Sequence, residues 1–260
     1  MMKIAALQMS CMVADCDANL SRIEKAAAEA SLQGAKLLIA PELAVTGYGA
    51  GDAFAHLACP ANGNVEAQLK AIAKKHEIAI VAGFAERDGE QVFNSAIFVD
   101  TEGHSAVYRK SHLYGDYEKT HFRPEAPRSV VIELMDLRFG MLICYDVEFP
   151  ENVRRLALEG ADLVVVPTAL PKGTSGEFIA NVMIRSRAFE NQVFVAYVNH
   201  NDSDGAFDYA GQSAIVAPDG SFLAKAPADG EALLFAEIDP AAYAVSRADN
   251  SYLRDLGSGR

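Results

Sequence analysis

The chain has no run of about eighteen apolar residues, so no helix is expected to cross a membrane. Its first ten residues form a short apolar run without a basic leading region or a cleavage pattern. They are expected to be a buried strand rather than a signal peptide. Basic charge is also scarce: 23 Lys and Arg stand against 35 Asp and Glu, a formal net charge of −12. The pair Arg109-Lys110 is only two residues long, and a surface of this sign repels phosphate backbones. Nucleic acid is therefore not an expected partner. Only four cysteines occur among 260 residues, Cys11, Cys16, Cys59 and Cys144, too few for a disulfide framework. The expected compartment is the cytoplasm, where thiols stay reduced. Cys11 and Cys16 are five apart, which fits no common zinc spacing, and no metal site is expected. Cys11, Cys16 and Cys59 read as unreactive thiols. No linker, low-complexity segment or repeat appears, so residues 1–260 are read as one domain with a core over about 3–239 and a short tail.

What the chain does have is apolar substance and alternation. Half of it is hydrophobic, enough for a sizeable core. Residues 3–9 read as a buried strand and 35–40 as another. Between them 17–32 carries helical spacing at Leu20, Ile23, Ala27 and Ala30, with Asp15 or Asp17 as cap and Gly34 as stop. A helix over 64–76 and a strand over 78–83 follow. Hairpins are predicted from 93–99 with 105–109, from 130–134 with 138–143, and from 212–217 with 221–225. Residues 114–128 show no clear period, carry two prolines and read as a loop. Helices over 151–159 and 176–190 alternate with strands over 162–166 and 193–199. A last strand spans 232–238, and Pro240 opens a short helix. The class is α/β, and this count suits two central sheets, each covered by helices on one face.

Three of these strands run into a polar residue that a buried strand would not choose: Glu42, Lys110 and Cys144. In open α/β sheets, sites form beyond the carboxyl ends of strands. A carboxylate, an ammonium and a thiol meeting there form a chemically complete set. The carboxylate takes the thiol proton, the thiolate attacks, and the cation stabilises an oxyanion. Taken singly, each has an ordinary reading: a strand-end carboxylate, a solvated lysine, a small core residue.

Three segments remove that ambiguity. Pro41-Glu42, Arg109-Lys110-Ser-His-Leu113 and Cys144-Tyr-Asp-Val-Glu-Phe-Pro-Glu151, the last followed by Gly160-Ala-Asp-Leu-Val-Val-Val-Pro167, occur in this order. Together they resemble the nitrilase superfamily of carbon–nitrogen hydrolases in its aliphatic-amidase-like branch, over residues 3 to about 239. The resemblance implies a four-layer αββα sandwich and a homodimer or larger assembly. It implies neither metal nor organic cofactor. It assigns Glu42 as base, Lys110 as oxyanion cation and Cys144 as nucleophile, and it implies a second glutamate. Glu118, eight residues after Lys110, takes that place, with Asp116 as competitor. The backbone N–H of Tyr145 is expected at the oxyanion. Tyr114 and Thr168 are expected at the substrate, and Tyr48, Asn199 and His200 facing the pocket. Asp146, Glu148 and His112 are expected in structural roles, as are Arg185 and Arg187, paired with Glu151 or Glu190. The expected reaction is hydrolysis of a small carboxamide to acid and ammonia through a Cys144 thioester. The alternatives are a nitrilase, an N-carbamoyl amide hydrolase, a catalytically silent scaffold, and a redox sensor pairing Cys144 with Cys59.

Overall fold

Period-two alternation sorts the first strand between two different cores. In a computed structural model describing residues 1–258, β1 (Met2–Gln8) sends Ile4 and Ala6 into one apolar cluster and Ala5 and Leu7 into another. The remaining strands are β2 (Leu37–Ile39), β3 (Ala79–Asp88), β4 (Gln91–Val99), β5 (Ser105–Arg109), β6 (Val131–Leu134), β7 (Leu137–Met141), β8 (Leu163–Thr168), β9 (Phe194–Asn199), β10 (Ala214–Val216), β11 (Phe222–Lys225) and β12 (Ala232–Ile238). They form two six-stranded sheets, ordered β12-β1-β2-β3-β4-β5 and β11-β10-β9-β8-β7-β6. Each sheet has three parallel strands at its centre, β1-β2-β3 in one and β7-β8-β9 in the other, with antiparallel strands outside them.

The two sheets face each other. Phe98 of β4 meets Phe139 of β7 edge to face at 5.5 Å, and one cluster joins Ile39, Val81, Met141 and Val166. On the outer face of the first sheet, the helices Cys16–Leu32 and Asn64–His76 bury Leu20, Ile23, Leu69 and Ile72. The helices Pro150–Leu158 and Ile184–Asn191 bury Val153, Leu156, Ile184 and Ala188 in the cluster built on the second sheet. The layers are therefore helix, sheet, sheet, helix, the αββα sandwich expected. Each fully buried aliphatic side chain contributes about 1.5–3 kcal/mol.

Asp15, rather than Asp17, caps the first helix, its carboxylate accepting from the Ala18 N–H at 3.0 Å. Two expectations fail. Residues 114–128 are not all loop: Gly115–His121 is a helix. It is short and buries only Glu118, so no apolar period betrays it. The segment expected as one helix over 176–190 is Thr174–Phe178, a π turn at Ile179–Met183, and Ile184–Asn191.

Candidate active site

Glu42 follows β2 in a turn laid directly against β3. Gly83 permits this: its N–H donates to Pro41 O at 3.0 Å, and a Cβ there would meet Leu43 N at 2.2 Å. Leu43 itself is left-handed, with φ of 49°. Lys110 directly follows β5 and continues its pairing with β4 through a 2.8 Å bond from its N–H to Asn94 O. Cys144 follows β7 after two residues and opens a 3₁₀ helix, Cys144–Glu148, with φ of 44°. A non-glycine residue held there stores on the order of 1–2 kcal/mol, a cost typical of functional turns.

Lys110, Glu42 and Glu118 are wholly buried. The Lys110 ammonium donates to Glu42 Oε1 and to Glu118 Oε1, both at 2.6 Å. Asn94 Nδ2 donates to the same Glu42 oxygen at 2.7 Å. Glu118 is held by the Tyr48 hydroxyl at 2.8 Å on Oε1 and by the Tyr114 N–H at 2.9 Å on Oε2. Glu42 Oε2 is buried and has no hydrogen-bond partner among the described residues. Burial works against the Lys110 cation, but Glu118 and Glu42 outweigh it and hold the amine well above its ordinary value. Burial, with help from Glu42, raises the Glu118 carboxyl against the pull of Lys110. The Cys144 thiol is pushed well up by burial and by the charge of Glu42, while Lys110 and the Ala169 N–H pull it down.

Asp146 ties the lysine segment to the nucleophile turn. Wholly buried, its carboxylate accepts from the Ser111 hydroxyl and the His112 N–H at 2.8 Å and from the Tyr108 hydroxyl at 2.9 Å. His112 Nδ1 lies 2.9 Å from the same carboxylate, and its ring stacks on Phe149. These contacts tie the His112 ring to the nucleophile turn. Arg187 pairs with Glu190 at 2.9 Å and donates to the Val147 and Glu148 carbonyls. Arg185 has no ion pair among the described residues and bonds to Gly220 O instead.

Beside Cys144 opens a cleft of about 490 Å³, lined by Tyr114, Tyr145, Glu148, Lys172 and Thr174 among others. Tyr114 and Tyr145 meet edge to face at 5.2 Å. Thr168 is not on this wall; it is buried and its hydroxyl donates to Val166 O at 2.9 Å. Tyr48, Asn199 and His200 also stand behind the site rather than in the cleft. Tyr48 holds Glu118, Asn199 accepts from the Leu170 N–H, and His200 Nε2 reaches the Glu42 carbonyl at 2.6 Å. Asp116 is exposed, whereas Glu118 points into the cluster. Sequence reasoning missed Asn94. Its signal was present: a lone amide inside the apolar stretch of β4.

The chain belongs to the carbon–nitrogen hydrolase family, whose model matches residues 3–248, from β1 to beyond β12. It is an amidase-type hydrolase of carbon–nitrogen bonds. Among its relatives, the hydrolase in pqqF 5'region of Pseudomonas protegens is 42% identical, covering 98% of this chain and 88% of that protein. An (R)-stereoselective amidase from Pseudomonas sp. is 34% identical, covering 98% and 91%. The fold is that of the amidase from Nesterenkonia sp. AN1, a member of the nitrilase superfamily. A solved structure of its active-site variant matches with a TM-score of 0.88 and 35% identity, over 98% of this chain and 93% of that one.

Proposed function

We propose that the chain hydrolyses small carboxamides to carboxylic acid and ammonia, with Glu42 as base, Lys110 as oxyanion cation and Cys144 as nucleophile. The observation that carries this reading is the asymmetry of Glu42. Lys110 and Asn94 hold one of its oxygens, and the other is buried without a hydrogen-bond partner, free to take a proton, while the charge of Glu42 acts on the Cys144 thiol. Glu42 takes the Cys144 proton as the sulfur attacks the amide carbon. Negative charge gathers on the carbonyl oxygen, and Lys110 and the Tyr145 N–H stabilise it. That N–H lies in the first turn of a helix, where leading N–H groups lack intrahelical acceptors. The C–N bond breaks as Glu42 returns the proton to nitrogen, giving ammonia and a Cys144 thioester. Water then loses a proton to Glu42, attacks the thioester, and the acid departs as the thiol is restored. Glu118 fixes the Lys110 ammonium through a second hydrogen bond.

The relatives support a small amide. The Nesterenkonia amidase has a structure showing Michael addition of acrylamide at its active site cysteine, and another holding butyramide. A cytoplasmic homodimer or larger assembly belongs to the same proposal, and sedimentation velocity checks the assembly. Ammonia release from a panel of small amides, nitriles and N-carbamoyl compounds tests the chemistry. Turnover of an amide that vanishes in Cys144→Ala is expected. Folded protein that turns over only nitriles or N-carbamoyl compounds contradicts the proposal, and one that turns over none supports a silent scaffold.

A further inference from the structure

We propose that the cleft selects carboxamides whose acyl part carries a protonated amine, and that the Glu148 carboxylate binds that amine. This rests on the amidase reading above and names its substrate class. Glu148 closes the same 3₁₀ helix that Cys144 opens. At roughly 2 Å of rise per residue, the two backbone positions stand about 8 Å apart along the axis, a span for a short amino-acyl chain. Glu148 is half-buried and lines the cleft with Cys144. Its backbone carbonyl accepts from Arg187, yet among the described residues its carboxylate has no hydrogen bond and no ion pair.

The neighbouring cations are committed elsewhere. Arg187 gives its three donor nitrogens to Val147 O, Glu148 O and Glu190. Lys172, at the exposed rim, lies 3.2 Å from Asp229. Lys110 is shared by two carboxylates. A partly desolvated carboxylate without a counterion is costly, and a cation brought by the substrate offsets that cost. Burial raises the Glu148 carboxyl, with Lys110 and Arg187 pulling the other way, as fits a group short of a close partner. The charges around the cleft are Glu42, Glu118 and Glu148 against Lys110 and, at the rim, Lys172, and the whole chain carries −12. This field draws in a cationic acyl chain and repels an anionic one.

Three amides of similar size separate the cases: β-alaninamide, its neutral isostere butyramide, and anionic succinamate. In the native enzyme kcat/KM is expected to be highest for β-alaninamide and lowest for succinamate. In Glu148→Gln the ratio of β-alaninamide to butyramide falls at least tenfold, mainly through KM, and Glu148→Asp restores part of it. An unchanged ratio, or a native preference for butyramide or succinamate, overturns the proposal. Calorimetric titration of the same amides into Cys144→Ala protein reads the preference without turnover. Amine-selective, Glu148-dependent binding with no hydrolysis by native enzyme would sink the amidase reading and leave this site standing. Equal binding of β-alaninamide and butyramide would overturn the site alone.

Discussion

Replacing Lys110 with Met keeps the side chain's bulk and removes the ammonium that Glu42 and Glu118 both bind at 2.6 Å. All three groups are fully buried, so two carboxylates are left without their counterion. Removing one partner of a buried ion pair costs about 3–5 kcal/mol. At about 2–4 °C per kcal/mol for a chain of this size, the melting midpoint drops by about 6–20 °C near neutral pH. The loss depends on pH. Glu118 is already raised by burial and by Glu42, and without the opposing pull of Lys110 it rises further. The folded variant then binds protons that the unfolded chain releases. Its stability falls as pH rises above the ordinary carboxyl range and recovers as pH falls. Thermal unfolding followed by circular dichroism, from about pH 5 to about pH 8, reads this directly. The gap between variant and parent widens with pH, and adding Glu118→Gln narrows it. A variant within about 2 °C of the parent at every pH would refute the cluster as drawn.

Two further outcomes follow from the same geometry. Asp146→Ala strips the acceptor from the Tyr108 and Ser111 hydroxyls and from the His112 N–H. It is expected to cost at least about 3 kcal/mol in urea unfolding and to lower kcat, because Lys110 and Cys144 lose their common tether. At alkaline pH, burial holds the Cys11 and Cys144 thiols and the Tyr108 and Tyr209 hydroxyls above their ordinary values. These groups ionise in the unfolded chain first. The midpoint is therefore steady below the ordinary thiol range and falls as pH rises through the thiol and phenol values; a flat profile to about pH 11 would contradict the burial.

The layers were legible because alternation and helical spacing report which face a residue buries. Ile4 and Ala6 against Ala5 and Leu7 is such a case, and Leu20 with Ile23 is another. Short elements held by polar contacts left no such trace. The helix Gly115–His121 buries one residue, a glutamate, so its period is invisible. The π turn at Ile179–Met183 shifts the helical pairing by one residue inside an otherwise continuous helical run, and an apolar spacing read from sequence does not register that shift. Glu42, Lys110 and Cys144 stood out as polar residues at strand ends. That Glu42 and Lys110 share a hydrogen bond across 68 positions is a property of the sheet order, which no local pattern encodes. The reach of Asp146 was missed for the same reason, its partners being distant in sequence; Asn94 left a local trace as an amide in an apolar strand, but nothing local names Glu42 as its partner. Thr168, Tyr48, Asn199 and His200 lie next to the site in space but turn their polar atoms to its supports.

The central claim is that Cys144 carries the acyl group between the two half-reactions. Intact-mass spectrometry of enzyme quenched during turnover of a small amide, followed by peptide mapping, tests it most directly. The account predicts a mass gain equal to the acyl group, located on the peptide containing Cys144 and absent from Cys144→Ala. Turnover persisting in Cys144→Ala, or an acyl group found on Cys11, Cys16 or Cys59, would contradict it.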